Sequence, residues 1–491
     1  GGKVPEAVGA TGFDAIIFKG KAKHLSVVEV TPEKIMFHPA EKLKGCDTFH
    51  TEAEVKKAYH RKIDTNWKAG CVVIGPAAEN QVFFSIIKND GWRCAGRAGT
   101  GTVMGSKNLK AVVFQGDCRR PVFDEKKLKA ISVKLAKASK TNPAVHAYKT
   151  MGTSQMVKVM NNAGAFPTKY WQYGTCSHWE NIGAVALHTR CEVQPHSCAK
   201  CFMSCGRMTR VRQGRHKGLL LEGPEYETIY AFGGLCMIDT IEEIVYLNHL
   251  CDSLGMDTIT TGNLCAFAME AFEQKKSDFR IDYGNAEQTA RLIHMIAFKE
   301  GVGELLAQGI AKAAKTWEME DTAVHVKGME PAGYDPRVLK GMGLGYATSA
   351  RGACHLRSTF YKPELSGMIP ADQIKGKAEL FVDFEDRLTI FDTFILCRFF
   401  RDMYDWPLLC DLVHALTGLT ITREDLKAIA LRISSEARHY NLQEGMKADH
   451  ERLPPGLHRK LKDSGAEITE HNMNVMLSEY YEIRGWERPA N

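Results

Sequence analysis

The chain has 491 residues, of which 44% are hydrophobic and 25% are charged, with a net charge of only +6. This composition excludes a disordered chain, and no long basic run indicates nucleic-acid binding. The length exceeds what one hydrophobic core serves, so several domains are expected. No apolar stretch approaches the roughly 18 residues of a membrane span, and no secretory signal opens the chain, so the sequence predicts a cytoplasmic protein without a membrane span.

Residues 1–120 contain short β-rich runs punctuated by glycine and proline. Strands are predicted at 15–19, 25–30, 70–74 and 82–86. From residue 121 the apolar periodicity becomes helical. Helices are predicted at 125–140, 240–254, 262–275, 286–299, 303–316, 378–389, 407–417 and 423–439.

Two changes in the sequence pattern divide the chain. The first lies near residue 120, and the second lies near 325, where a short strand at 325–327 precedes a loop at 331–336. Another loop is predicted at 363–376. The sequence therefore predicts an α+β fold, with a β-rich domain at 1–120 followed by two mainly α-helical domains at 121–325 and 326–491.

Three of the fifteen cysteines form the pattern Cys198-x-x-Cys201-x-x-x-Cys205. A long chain with clustered cysteines, odd in number, is more typical of a protein in a reducing compartment than of one held by a disulfide framework. Three thiols at this spacing can converge on one centre, and soft sulfur donors favour iron–sulfur chemistry, with a distant cysteine as fourth ligand. A zinc site, which usually shows two Cys-x-x-Cys pairs, and unligated thiols are the alternatives.

Three aspartates stand out by position. Asp252 lies in the last turn of a predicted helix, where an acid opposes the helix dipole, and Asp257 follows at once. Both could accept hydrogen bonds from a ligand rich in ring N–H groups. Asp392 precedes Cys397 by five residues in an apolar stretch, so it should have a partner. A solvated or capping residue is the alternative for each.

A glycine-rich loop at 96–110 and two proton-transfer candidates complete the pattern. Glycine lets backbone N–H groups approach an anion, so the loop is either a phosphate site or a plain turn. Glu227 follows a tight proline turn, and His355 lies between two arginines. An acid and a histidine are a usual proton-transfer pair, and a surface or satisfied core position is the alternative for each.

Seven ordered blocks together resemble the tungsten-dependent aldehyde:ferredoxin oxidoreductase family. They are GRAGTGTVMGSKNLKAV at 96–112, CAKCFMSC at 198–205, EGPEYET at 222–228, LCDSLGMDTITTGN at 250–263, YDPRVLKGMGLGYATSARGACHLR at 334–357, DTFILC at 392–397 and the closing RGWERP. The resemblance runs over nearly the whole chain.

The resemblance implies two redox groups. One [4Fe–4S] cluster would be bound by Cys198, Cys201, Cys205 and Cys397. A tungsten bis-pterin would be held on one side by Asp252 and Asp257 and on the other by Asp392 and Leu396. The remaining cofactor contacts, which include pterin phosphates bridged by Mg²⁺, would come from Arg97, Ala98, Thr100 and Arg357.

The implied activity is oxidation of an aldehyde to the carboxylic acid. Glu227 would act as general base and His355 would donate to the carbonyl oxygen. Electrons would pass through the cluster to ferredoxin or an iron–sulfur partner subunit, in a homo- or hetero-oligomer. The alternatives are a tungsten subunit of a benzoyl-CoA reductase-like complex and a non-catalytic, cluster-bearing electron-transfer subunit.

Three departures from the family pattern matter. Members carry further N-terminal sequence with pterin contacts, which this chain, opening Gly-Gly-Lys-Val, is expected to lack. Paired Glu-x-x-His helices that bind an interfacial iron read Tyr246–His249 and Arg291–His294 here, so no such iron is expected. A Pro-Thr-x-Asn segment ends in Tyr170, which leaves the substrate pocket undefined.

Overall fold

The computed structural model describes residues 2–61, 64 and 66–487. By its contacts the chain forms two compact units. The first comprises Gly1–Arg120, Tyr148–Gln155 and His178–Glu318, and the second Pro121–Ala147, Met156–Ser177 and Met319–Asn491. Because the chain passes between the units several times, changes of composition along the sequence cannot reveal these two units. The three-domain division at 120 and 325 stays a prediction.

A six-stranded sheet forms the core of the first unit. Its strands are β1 Ser26–Val30, β2 Ile35–Pro39, β3 Lys68–Val73, β4 Ile87–Asn89, β5 Arg93–Ala95 and β6 Leu109–Gly116. Their order is β2-β1-β6-β3-β4-β5, with only β1 and β6 parallel. Every residue of β6 is buried, because successive side chains of this strand enter core clusters on opposite faces of the sheet.

A second, three-stranded antiparallel sheet lies in the same unit. It consists of β7 Cys191–His196, β8 Gly206–Val211 and β9 Leu220–Glu222. The connection between β7 and β8, residues 197–205, carries the three clustered cysteines. No strand was predicted here, because charged residues and a proline interrupt the apolar alternation.

Helices make up most of the remaining structure. In the first unit they are Val4–Ala10, Thr48–Tyr59, Pro76–Glu79, Thr100–Ser106, Trp179–Ile182, Ala184–Arg190, Tyr226–Ile229, the π-helix Tyr230–Leu235, Ile241–Leu254, Thr258–Glu273, Ala286–Phe298, Val302–Leu306 and Ile310–Thr316. In the second unit they are Glu125–Ser139, Met156–Asn162, Lys340–Thr348, Tyr361–Leu365, Lys377–Thr393, Trp406–Thr417, Arg423–Gln443, Pro455–His458 and Glu470–Arg484. Pro143–Met151 runs through the point where the chain leaves the second unit, and short 3₁₀ turns occupy Glu41–Leu43, Thr153–Gln155, Arg398–Phe400 and Ala448–Glu451.

The helix predictions are mostly confirmed, and local capping residues define the helix ends. Gly255 ends Ile241–Leu254 in the left-handed conformation, with φ 82°. Asp405 caps Trp406–Thr417 by accepting from the Leu408 amide at 3.0 Å. The single helix predicted at 303–316 is wrong, since Gly309, with φ 84°, divides it in two. The loop predicted at 363–376 is partly wrong, because its start lies in the helix Tyr361–Leu365.

Three strand predictions are wrong. Residues 15–19 have no strand partner among the described residues, although Ile16 and Phe18 pack against the sheet core and Ile17 is exposed. Residues 82–86 contain a turn and one isolated bridge between Ser85 and Met256, and the strand begins only at Ile87. The strand at 325–327 shrinks to one isolated bridge between Val326 and Met329. Alternating apolar residues are therefore not enough for a strand, because a strand also needs a neighbouring strand to pair with.

In the second unit Lys327 is held among backbone carbonyls. Its Nζ donates to Ala347 O and Ser349 O, each at 2.9 Å. Burial lowers the pKa of Lys327 to about 8, although Glu451 favours its charged form. In the unfolded chain the lysine has a pKa of 10.5, so between pH 8 and pH 10.5 the unfolded chain binds the proton more tightly than the folded chain.

We therefore expect the free energy of unfolding to rise between pH 8 and 10.5, by about 3 kcal/mol from this group. Lys327→Met should remove that rise. Denaturant unfolding of wild type and variant at pH 7.5 and 10.5 measures it as the change in their difference. A difference that is the same at both pH values would contradict the assignment.

Candidate functional site

The cysteine hairpin is defined by residues 197–205, between β7 and β8. The strand pair His196–Gly206 closes it, and the Cys201 amide donates to Cys198 O at 3.1 Å. Cys198, Cys201 and Cys205 are partly exposed and form no disulfide. Within the described residues no group of three or more His, Cys, Asp or Glu side chains is already arranged for a metal ion. The hairpin thus supplies three thiols close in sequence, without preassembled coordination.

Arg207 anchors the cysteine hairpin from below. Its guanidinium is buried and donates to Gly206 O at 2.7 Å and also to Ser204 O, the two carbonyls that flank Cys205. It donates further to the carbonyls of Tyr148, Lys149 and Thr150, at 2.8–3.1 Å. Burial lowers the pKa of Arg207, whereas Glu225 and the Cys205 thiol oppose that effect. One arginine therefore fixes the backbone around the third cysteine.

Arg207→Met should cost about 3 kcal/mol of unfolding free energy, because it leaves several buried carbonyls without donors. The matched control is Arg210→Met on the same strand, whose side chain is about half exposed. Its effect should stay within about 0.5 kcal/mol. Denaturant unfolding of both variants makes the comparison, and equal effects would contradict the anchoring role.

Asp252 forms a buried ion pair at the end of the helix Ile241–Leu254. Lys88 Nζ of β4, completely buried, lies 3.3 Å from Asp252 Oδ1 and 4.0 Å from the centroid of the Phe49 ring. Asn248 Nδ2 donates to Asp252 Oδ2 at 3.0 Å. Burial raises the pKa of Asp252, and Lys88 opposes the rise. Asp252 is therefore paired rather than solvated.

Asp257 caps the next helix, Thr258–Glu273, by accepting from the Thr260 amide at 3.1 Å. The capping alternative thus holds for this residue. Its carboxylate also faces the glycine loop, because Arg97 Nη1 lies 3.5 Å from Asp257 Oδ2. Each aspartate of this segment is therefore matched with a basic side chain from the sheet region.

Cys94 of β5 lies within electrostatic range of these two aspartates. Solvent reaches this residue, yet surrounding protein desolvates the thiol and, with Asp252, raises its pKa to about 12. Lys88, Asp257 and Arg93 also act electrostatically on it. Acidic and basic groups thus surround this thiol together.

The glycine loop turns directly into the helix Thr100–Ser106. Ala98, with φ 76°, and Gly99, with φ 69°, adopt the left-handed conformation that makes the turn. A side chain on Gly99 would come within 2.1 Å of Phe83 O. The Thr100 hydroxyl donates to Ala95 O at 2.8 Å. Packing and turn geometry therefore account for part of this sequence.

Glu227 lies in the first turn of the short helix Tyr226–Ile229, which continues as the buried π-helix Tyr230–Leu235. Its neighbours are fixed by hydrogen bonds. The Tyr226 amide donates to Thr153 Oγ1 at 3.0 Å, and the Thr228 and Thr258 hydroxyls are 2.9 Å apart. Glu227 is half-buried on this rigid support. Single π-helical turns are frequent at functional sites.

His355 lies in the second unit, half-buried beside an aromatic pair. Its ring centroid is 5.7 Å from that of Tyr334, which stacks on Tyr361 at 4.1 Å. The adjacent Cys354 is buried and accepts from Arg351 Nη2 at 2.8 Å. Burial opposes ionisation of this thiol, but Arg351 and Arg357 outweigh it and lower the pKa of Cys354. The segment around His355 is thus positively charged and well packed.

Asp392 has the partners that the sequence required. Arg357 Nη1 and Arg398 Nη2 lie 2.7 and 2.8 Å from its two carboxylate oxygens. The side chain is 48% exposed, so the carboxylate is paired without being buried. The Leu396 amide donates to Phe391 O at 2.8 Å, and Cys397 is exposed. Arg357, Asp392, Leu396 and Cys397 therefore belong to one local site.

The predicted site residues divide between the two units. Arg97, Ala98, Thr100, Cys198, Cys201, Cys205, Glu227, Asp252 and Asp257 lie in the first unit. His355, Arg357, Asp392, Leu396 and Cys397 lie in the second. Sequence reasoning missed Lys88, Arg207 and Arg398. Lys88 had a signal, since a lone lysine beside apolar residues of a strand needs a buried acid.

These residues fit the cofactor classes by their chemistry. A pterin offers ring N–H donors and a phosphate, and the first unit offers two aspartates, each beside a basic side chain. A cluster needs thiolates, and the hairpin offers three cysteines that form no disulfide. The fit concerns the types of donor group, because no coordination geometry is preassembled among the residues that the structure covers.

Comparisons with known proteins define the class of protein. Sequence models of the aldehyde ferredoxin oxidoreductase N-terminal domain and of its domains 2 and 3 match residues 1–116 and 130–490. The chain belongs to this family of tungsten-containing oxidoreductases. The resemblance read from the seven blocks and the α+β fold are thereby confirmed, and the family implies a tungstopterin cofactor.

Particular relatives sharpen this assignment. The chain is 33% identical to the tungsten-containing aldehyde ferredoxin oxidoreductases of Pyrococcus furiosus and Thermococcus kodakarensis, over 97% of this chain and 79% of each relative. It is 30% identical to the P. furiosus aliphatic sulfonate oxidoreductase, WOR-like subunit, over 86% of this chain and 68% of that protein.

A solved structure shares the fold. It is the active-site complex BamBC of benzoyl-coenzyme A reductase with 1,5-dienoyl-CoA, with a TM-score of 0.76 and 19% identity. The match covers 99% of this chain and 80% of that one. Separately, no helix within the described ranges is long and apolar enough to cross a bilayer.

Proposed function

We propose that this protein oxidises an aldehyde to the carboxylic acid and passes the electrons, through a [4Fe–4S] cluster, to ferredoxin or an iron–sulfur partner subunit. The observation that carries the proposal is the 33% identity to tungsten-containing aldehyde ferredoxin oxidoreductases along 97% of the chain. The aldehyde, the cluster and the partner are the parts that go beyond family membership.

The two aspartates of the first unit, each paired with a basic side chain, support a place for the pterin. Asp252 and Asp257 would accept from ring N–H groups, while Arg97, with the backbone of Ala98 and Thr100, would face the phosphate and its Mg²⁺. In the second unit Asp392, Leu396 and Arg357 would hold the other pterin. When bound, tungstopterin supplies the two-electron redox chemistry.

The chain's own residues handle the proton and the charge. Glu227 would take a proton from the hydrated aldehyde, and its rigid helical support keeps the carboxylate in one place. His355 would donate to the carbonyl oxygen. Its neighbourhood of arginines favours the negative charge that develops there.

Four thiolates would bind the cluster. Cys198, Cys201 and Cys205 share one hairpin, and Arg207 fixes the backbone around the third of them. Cys397 would be the fourth, five residues after Asp392. This spacing supports a short path between the second pterin and the cluster, because one segment would contact both.

Anaerobic turnover tests the proposal. The protein, purified without oxygen, should reduce a viologen dye with acetaldehyde or benzaldehyde and release the carboxylate. Reduced dye with benzoyl-CoA provides the competing assay. Dienoyl-CoA formation without aldehyde oxidation would favour the reductase chemistry instead. Loss of both activities in a protein with full iron would favour an electron-transfer subunit.

A further inference from the structure

Arg93 forms an ion pair with Glu222 at the base of the cysteine hairpin, and His196 lies beside the same carboxylate. Arg93 Nη2 of β5 lies 2.6 Å from Glu222 Oε1, and His196 Nδ1 lies 3.2 Å from Glu222 Oε2. The Glu222 side chain is 3% exposed and that of Arg93 is 20% exposed. Neither Arg93 nor Glu222 was given a role by the sequence motifs.

Glu222 reaches the hairpin itself. Its position on β9 pairs with Met208 of β8, two residues after Gly206. A Cβ on Gly206 would lie 1.8 Å from Glu222 Oε1, so the carboxylate occupies the space that a side chain would need. Gly206 directly follows Cys205. Arg93, paired to the same oxygen, is therefore held beside the end of the cysteine hairpin.

The Arg93 guanidinium interacts electrostatically with the hairpin thiols, and the Glu222 carboxylate offsets part of its charge. Burial disfavours the charged Arg93, but Glu222 and then the thiols of Cys198 and Cys205 outweigh it, so that its pKa is raised. Two of the three hairpin thiols thus lie within electrostatic range of this guanidinium. Glu222 partly neutralises Arg93 and places it at the same time.

We propose that Arg93 is a positioning residue that raises the reduction potential of the cluster bound by this hairpin, and that Glu222 holds it there and offsets part of its charge. The inference rests on the cluster assigned under the proposed function. Reduction adds one negative charge to the cluster. A fixed cation in a poorly solvated place stabilises that charge, and a neighbouring carboxylate opposes it.

Three variants of the holoenzyme test the inference by redox titration followed by electron paramagnetic resonance. Arg93→Gln should shift the reduction equilibrium about tenfold toward the oxidised cluster, which is about 59 mV for a one-electron couple. Arg93→Lys keeps the charge and should restore the wild-type potential. Glu222→Gln should shift the potential in the opposite direction. Iron and sulfide are quantified in every sample.

The outcomes distinguish a failure of the proposed role of Arg93 from a failure of the proposed function. Full iron with an unchanged potential in Arg93→Gln, or equal shifts in Arg93→Gln and Arg93→Lys, overturns this inference alone. Wild-type protein without a cluster overturns the proposed function, and this inference with it. Should Arg93→Gln lose iron, Glu222→Gln decides, and the absence of an upward shift there overturns the role of Arg93.

Discussion

Replacing Glu227 by Gln should lower kcat for aldehyde oxidation by about 10²- to 10⁴-fold, the range of a lost general base. Gln keeps the size and polarity of the side chain but cannot take the proton. The helix around it should persist, because Tyr226 and Thr228 are fixed by their own hydrogen bonds. Tungsten and iron contents should therefore equal those of the wild type.

The control for this variant is Glu304→Gln. Glu304 also lies in the first turn of a short helix, Val302–Leu306, and is exposed. Its kcat should be that of the wild type. Retained turnover in Glu227→Gln would remove its assignment as the base. Loss of tungsten from that variant would assign Glu227 to cofactor binding instead.

Replacing Cys201 by Ala should remove the cluster. The other hairpin thiols then lack the central ligand, and we expect less than half of the wild-type iron and no electron transfer to a ferredoxin-type acceptor. The free energy of unfolding of the cluster-free protein should change little, since the side chain is partly exposed. Iron analysis and visible absorption measure the effect.

Cys191→Ala is the matched control for the hairpin. Cys191 is completely buried in β7, and burial raises the pKa of its thiol to about 11, so it is a structural cysteine. Its variant should keep full iron, even if it is somewhat less stable. Equal iron in the Cys191 and Cys201 variants would contradict the ligand assignment.

The helices were predictable where their end signals are local. Gly255 and Asp405 act through the backbone of their own turns, so sequence position reveals them. Strands depend on a partner elsewhere in the chain, and therefore 15–19 was predicted wrongly although its side chains alternate. The strands β7 and β8 were not predicted for the opposite reason. Their sequences lack apolar alternation, and they are strands because they pair with each other.

The site was predictable where family motifs name its residues, and less so where buried pairing decides. Asp252 was a recognisable acid, but its partner Lys88 is 164 positions away in β4 and only the fold joins them. Arg398 was hidden for a different reason. It lies next to Cys397, but its role depends on a helix ending that turns it back to Asp392.

The most direct test of the proposed function is the metal content of anaerobically purified protein, measured by plasma mass spectrometry for tungsten, molybdenum, zinc and iron. We predict about one tungsten and four irons per chain, the content of one tungstopterin and one [4Fe–4S] cluster. Zinc without iron would contradict the cluster, and iron without tungsten or molybdenum would contradict the proposed oxidation of an aldehyde.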